Sequence, residues 1–142
     1  MAPAERSDEE RKRPVERSGT SCYLVTIKRN ALEFTRKCWL DAQYTNLVKR
    51  IRGEVEWSDQ VSYELDSLNR LHLHTIVTSK SPIFYKKYVR KGWHIHFQPF
   101  ERKDMSRVYE YIMKHNQDKH RIEQLEDESF IYQLDDPFID SE

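Results

Sequence analysis

The pattern of apolar and polar positions divides the chain into extended and helical stretches. Ser21 to Lys28 (SCYLVTIK) is rich in β-formers and predicts a first strand. Leu40, Tyr44, Leu47, Val48 and Ile51 then recur at the spacing of one helical face, and Gly53 is placed to end that helix. In EVEWSDQVSYEL (54–65), Val55, Trp57, Val61, Tyr63 and Leu65 hold one parity, while Glu56, Ser62 and Glu64 hold the other. That alternation predicts a half-buried strand, with Asp66 to Arg70 turning into a second one, LHLHTIVT. Pro82 to Tyr88 reads as a short helical or irregular connection. Gly92 opens WHIHFQPF, where Trp93, Ile95 and Phe97 alternate with His94, His96 and Gln98. DMSRVYEYIMKH reads as a helix with Asp104 or Ser106 as cap and Met105, Val108 or Tyr109, and Ile112 as its buried stripe.

The order strand, helix, strand, strand, linker, strand, helix fits an α+β fold, an antiparallel sheet of ferredoxin-like type with helices packed on it. Residues 21–120 form the expected domain. Residues 1–20, polar and of mixed charge, read as a disordered N-terminal arm. Residues 121–142 read as an acidic C-terminal tail or linker, in which FIYQL adds at most a short edge element.

Composition narrows the setting. The 142 residues suffice for one compact domain with tails. With 34% charged residues and no apolar run of bilayer length, the reading is a soluble chain without a membrane partner. The opening MAPAERSDEERKR has no apolar signal core, which points to an intracellular protein. Cys22 and Cys38 do not make a disulfide framework. The net charge of zero conceals an uneven distribution: 21–120 carries a balance of +7 and 121–142 one of −7. A basic core suits a nucleic-acid partner, although ordinary solvated surface has the same signature.

Chemistry enters with His72 and His74. Residues i and i+2 of a strand share a face, so the two imidazoles can share a divalent ion, or simply lie on a solvent-facing surface. Glu64 has the parity that leaves the apolar face, and a hairpin through Ser67–Arg70 brings its carboxylate alongside both rings. Two imidazoles and one carboxylate with open positions suit Mn or Mg better than a closed structural zinc site. Tyr111 and Lys114, three apart on a helix, are surface neighbours. A phenol can attack phosphorus while the ammonium steadies the developing charge. A partly buried tyrosine beside a surface lysine is the plainer alternative.

Glu64, the His72–His74 pair and the Tyr111-x-x-Lys114 helix together resemble the HUH endonucleases. The likeness is greatest to the replication-associated (Rep) proteins of circular single-stranded DNA viruses of eukaryotes and of related plasmids. It covers roughly residues 21–120. The resemblance implies metal-dependent nicking and joining of single-stranded DNA at an origin stem-loop, with a covalent 5′-phosphotyrosine intermediate that starts rolling-circle replication. It implies Tyr111 and Lys114 as catalytic, and Glu64, His72 and His74 as ligands of Mn or Mg. The strand Tyr23–Lys28 resembles the family's origin-recognition motif, which implies Thr26 and Lys28 as DNA contacts. A viral source implies the host nucleus, and such proteins usually carry a helicase domain in a longer parent. A homo-oligomer is also compatible.

Other features leave alternatives open. His94 and His96 form a second H-x-H that is an exposed pair, a DNA contact, or part of a four-histidine metal site. Lys86, Lys87, Arg90 and Lys91, interleaved with Phe84, Tyr85, Tyr88 and Trp93, combine cations for phosphates with rings for bases. Those rings can equally be core. Tyr109 is the rival nucleophile, but the residue three further on is Ile112 rather than a lysine, and its place beside Val108 suggests packing. A single-tyrosine HUH transposase would share the chemistry, and a non-catalytic module for RNA or single-stranded DNA would share the surface. No Gly-x-x-x-x-Gly-Lys-Ser/Thr loop is present, so the sequence holds no such nucleotide-driven motor.

Overall fold

Four of the five strands form one antiparallel path, β2-β4-β1-β5, and β3 pairs with β4 off that path. The strands are β1 (Ser21–Arg29), β2 (Val55–Trp57), β3 (Ser62–Leu65), β4 (Leu71–Ser79) and β5 (Trp93–Phe100). The helices are α1 (Lys37–Arg50), α2 (Met105–Lys114) and α3 (Lys119–Ser129). This computed structural model describes residues 20–114 and 118–129.

Alternation decides what each face of the sheet does. Tyr23, Val25 and Ile27 of β1 lie on one face with Leu71, Leu73 and Val77 of β4 and Trp93, Ile95 and Phe97 of β5, and all nine are buried. On that face α1 contributes Trp39, Leu40 and Leu47, followed by Ile51 just past its end, to the same apolar cluster. Gly53, at φ 111, takes the left-handed backbone that turns the chain into β2. The opposite parity carries Thr26, Lys28, His72, His74, His94, His96, Ser62 and Glu64, so this face is polar. Part of it is covered by α2, whose Ile112 is 1% exposed. The Ser62 hydroxyl donates to the Ile112 carbonyl at 2.7 Å and pins the helix there.

The expected antiparallel sheet with packed helices is thus the observed fold. Three details differ from the sequence expectation. The predicted strand 54–65 is two strands, because Trp57 pairs with Val77 but Ser62 pairs with His74. Five steps along one strand therefore span three along β4. The two-residue excess bulges out at 58–61 and, being even, preserves parity, so Glu64 keeps the polar face.

The acidic segment is the second difference. Residues 121–129 belong to α3 and are not a linker: Ile122, Leu125 and Ser129 are buried, and the first two join the core. The Glu126 carboxylate accepts the Lys37 amide hydrogen at 2.6 Å, capping α1 from across the fold. The sequence shows mainly this helix's charged outer surface, which masks a narrow apolar stripe. The third difference is the stripe of α2, where only Ile112 is buried and Tyr109 is 39% exposed. Residues 1–19 of the expected disordered arm (1–20) and the FIYQL edge element lie outside the described residues. No described helix is long and apolar enough to cross a membrane.

If α3 is integral to the domain, Leu125→Ala should cost about 2–5 kcal/mol of stability, the usual range for emptying a buried leucine site. Urea denaturation measures this directly. An unchanged midpoint would return 121–129 to the status of a tail.

Candidate active site

The polar face is organised by strand register. Glu64 pairs with His72, and Ser62 with His74, across β3 and β4. On the other side of β4, Lys28 pairs with His72 and Thr26 with His74. The next strand repeats the pattern, with Lys28 opposite His94 and Thr26 opposite His96. Two rows result, Glu64–His72–Lys28–His94 and Ser62–His74–Thr26–His96, running across four strands.

In the first part of these rows, Glu64, His72 and His74 bring one ligand atom each to within 4.8 Å of one another. No other group of three His, Cys, Asp or Glu among the described residues does so. His74 is 5% exposed, and its ring is held at both nitrogens. Nε2 lies 2.7 Å from Glu64 Oε1, and Nδ1 lies 3.0 Å from Thr26 Oγ1. With Nε2–H donating to the carboxylate, Nδ1 accepts the threonine hydroxyl hydrogen. A hydroxyl can also accept, so Thr26 holds the ring in either tautomer.

His72 is held differently. Its Nε2 is buried without a hydrogen-bond partner and faces Asp66 Oδ2 at 3.6 Å, beyond hydrogen-bond reach. A buried ring nitrogen without a partner normally costs stability. A ligating role gives that cost a reason. Burial, then the charges of Lys28 and His74, push the His72 imidazole down and keep it neutral, the form that binds metal. Two imidazoles and a carboxylate this close together are a group that could hold a metal ion.

Asp66 braces the hairpin that makes this possible. Its Oδ1 accepts the amides of Leu68 and Arg70 at 2.9 Å each, and its Oδ2 accepts Arg70 Nε at 2.8 Å. Burial pushes the Asp66 carboxyl up, but those amides and the guanidinium outweigh it and hold the group below its usual value. Asn69, with φ 61, completes the turn.

Tyr111 reaches the same place from α2. Its ring centroid lies 6.3 Å from that of His74 at an interplanar angle of 64°, and the side chain is 46% exposed. The Ser62–Ile112 hydrogen bond, one residue away, fixes the helix that presents it. Burial first, then the Glu64 charge, push the Tyr111 phenol up. Lys114 is exposed in the last turn of α2. Tyr109 lines a separate cleft of about 490 Å³ with Met105, Ile76 and Thr78.

The remaining expected residues fall outside this cluster. His94 and His96 are separated from His72 and His74 by β1, roughly 10 Å at ordinary strand spacing, so they do not complete a four-histidine site. Lys86, Lys87 and Lys91 are exposed and Arg90 is half-buried, on and just after the short 3-10 turn Tyr85–Tyr88 at the outer edge of β5. Of the interleaved rings, Trp93 is core and Tyr85 and Tyr88 pack against it, while Phe84 is 68% exposed. Thr26, expected as a DNA contact, has its hydroxyl 3.0 Å from His74 Nδ1. Sequence reasoning missed that role, together with Ser62 and Asp66. The parity of Thr26 in β1 holds the signal, but only the strand order puts that face beside His74.

Partners that orient a metal-binding histidine usually carry about ten- to a hundredfold of the affinity. Thr26→Val should weaken Mn binding by roughly that factor in calorimetry, and His94→Ala should leave it unchanged. The opposite result would move the ligand set to β5. No protein-family model, curated protein or solved structure matches this chain, so the case for its chemistry rests on these side chains.

Proposed function

We propose that this chain is a metal-dependent, single-tyrosine nuclease that nicks and rejoins single-stranded DNA, of the HUH endonuclease kind. The observation that carries the reading is the convergence of Tyr111 from α2 on the Glu64–His72–His74 cluster of the sheet. The resemblance to viral and plasmid Rep proteins adds the setting: nicking at an origin stem-loop, rolling-circle replication, the host nucleus and a longer parent protein with a helicase domain.

Glu64, His72 and His74 would hold a Mn or Mg ion, which when bound polarises the scissile phosphate. Tyr111 Oη attacks phosphorus, the Oη–P bond forms, and the bond from phosphorus to the 3′ oxygen breaks. The phenol loses its proton, and the departing 3′ oxygen gains one. The product is a 5′-phosphotyrosine and a free 3′-OH. One phosphoester replaces another, so attack by a 3′-OH reverses the step and joins the strand.

Burial and the Glu64 charge both favour the protonated phenol. A cation held by Glu64 would offset that carboxylate's charge and with it one of the two effects that oppose ionisation of Tyr111. Lys114, one turn along α2, would steady charge developing on the phosphate oxygens. The exposed cations Lys86, Lys87 and Lys91 supply attraction for the rest of the strand.

With Mn and a labelled stem-loop oligonucleotide, the wild-type chain should cleave. His72→Ala should be inactive, and Lys114→Ala slower by roughly a hundredfold, the scale of losing one donor to a developing oxyanion. Binding of the oligonucleotide without cleavage, across many stem-loop sequences, would leave a non-catalytic binding module as the better reading.

A further inference from the structure

The second histidine pair occupies the mirror position of the first. β1 lies between them, so Lys28 and Thr26 are cross-strand neighbours of both pairs. What differs is the outer neighbour. On the β4 side it is a carboxylate, Glu64; on the β5 side it is the Tyr85 hydroxyl, 3.2 Å from His96 Nδ1.

From this difference we infer that Lys28, His94, His96 and Tyr85 form an anion subsite for a phosphodiester of the bound strand, next to the one at the metal cluster. The inference rests on the nuclease reading for the identity of the strand, but not for the anion chemistry. The side chains that build the patch are an ammonium, two imidazoles and a phenol, with no carboxylate among them. A cation placed here would meet the Lys28 ammonium; an anion would meet that ammonium and imidazole N–H groups.

The donors are held in place. The Tyr85 ring stacks on the buried Phe97, with centroids 5.7 Å apart and planes at 16°, and meets His96 edge-on at 5.3 Å. When the Tyr85 hydroxyl donates to Nδ1, the His96 hydrogen sits on Nε2 and is free for another acceptor. The His94 and His96 rings are nearly parallel, 6.0 Å apart at 26°, and His94 is exposed. Burial, then the Lys28 and His96 charges, push the His94 imidazole down. A phosphate between them would offset that repulsion. The patch also continues into Lys86 and Lys87, the residues directly after Tyr85 in the 3-10 turn. A strand leaving the Glu64–His72–His74 cluster across β1 would thus meet Lys28, then the imidazoles, then the lysines of the turn.

The test follows the imidazole proton resonances of His94 and His96 in the full chain without divalent metal. Three titrants are compared: a short single-stranded oligonucleotide, inorganic phosphate and Mg. Both resonances should shift with the oligonucleotide at much lower concentration than with phosphate, and neither with Mg. Lys28→Gln should weaken the oligonucleotide response by roughly tenfold or more, the loss expected for one charge-assisted hydrogen bond. Tyr85→Phe should weaken the His96 response while the fold stays intact. Shifts with Mg, silence with the oligonucleotide, or equal affinity for phosphate and oligonucleotide would each overturn the subsite. Formation of a Tyr111–DNA adduct without these shifts would sink the subsite and leave the nuclease standing. Shifts without any adduct would do the reverse.

Discussion

The antiparallel register of β1 between β4 and β5 is the constraint on which the rest depends. It sets Thr26 beside His74 and Lys28 between His72 and His94. It is itself held by Tyr23, Val25 and Ile27, whose alternate side chains are buried in the core. A slip of one residue would exchange the faces, drive Lys28 into that core and turn the apolar residues to solvent. The packing that stabilises the domain and the geometry of the site are therefore two consequences of one pairing.

That arrangement asks the sheet to tolerate polar groups where little water reaches them. His74 meets the demand through Glu64 and Thr26, which satisfy both ring nitrogens. His72 does not, since its Nε2 is left without a hydrogen-bond partner. Local departures of this kind tend to gather where a protein is built for something other than stability. The β3–β4 hairpin supports the arrangement from below, with Asp66 tied into its own turn while it faces His72. On the other side, one buried hydroxyl, Ser62, sets α2 and so the position of Tyr111.

Much of the fold was legible because alternation and helical periodicity report burial directly. Leu71, Leu73 and Val77 announce an inward face, and His72 and His74 then fall on the other by necessity. The pairing of Glu64 with the histidines was legible for the same reason, helped by an even-numbered bulge that did not disturb parity. What was not legible depended on neighbours distant in sequence. Nothing local tells Thr26 that its hydroxyl will meet His74, or His94 that β1 will separate it from His72. The helix over 119–129 was hidden by composition, because its acidic residues outnumber the two apolar side chains, Ile122 and Leu125, that dock it. Tyr109 misled in the other direction: its neighbour Val108 suggested packing, yet α2 turns it outward.

In the proposed reaction Tyr111 is the nucleophile. Incubating the chain with Mn and a cleavable single-stranded oligonucleotide, digesting the product and locating the nucleotide-modified peptide by mass spectrometry tests it most directly. A 5′-phosphonucleotide on Tyr111, absent from Tyr111→Phe and retained in Tyr109→Phe, is the result expected. An adduct on Tyr109, or one that persists in Tyr111→Phe, would contradict it.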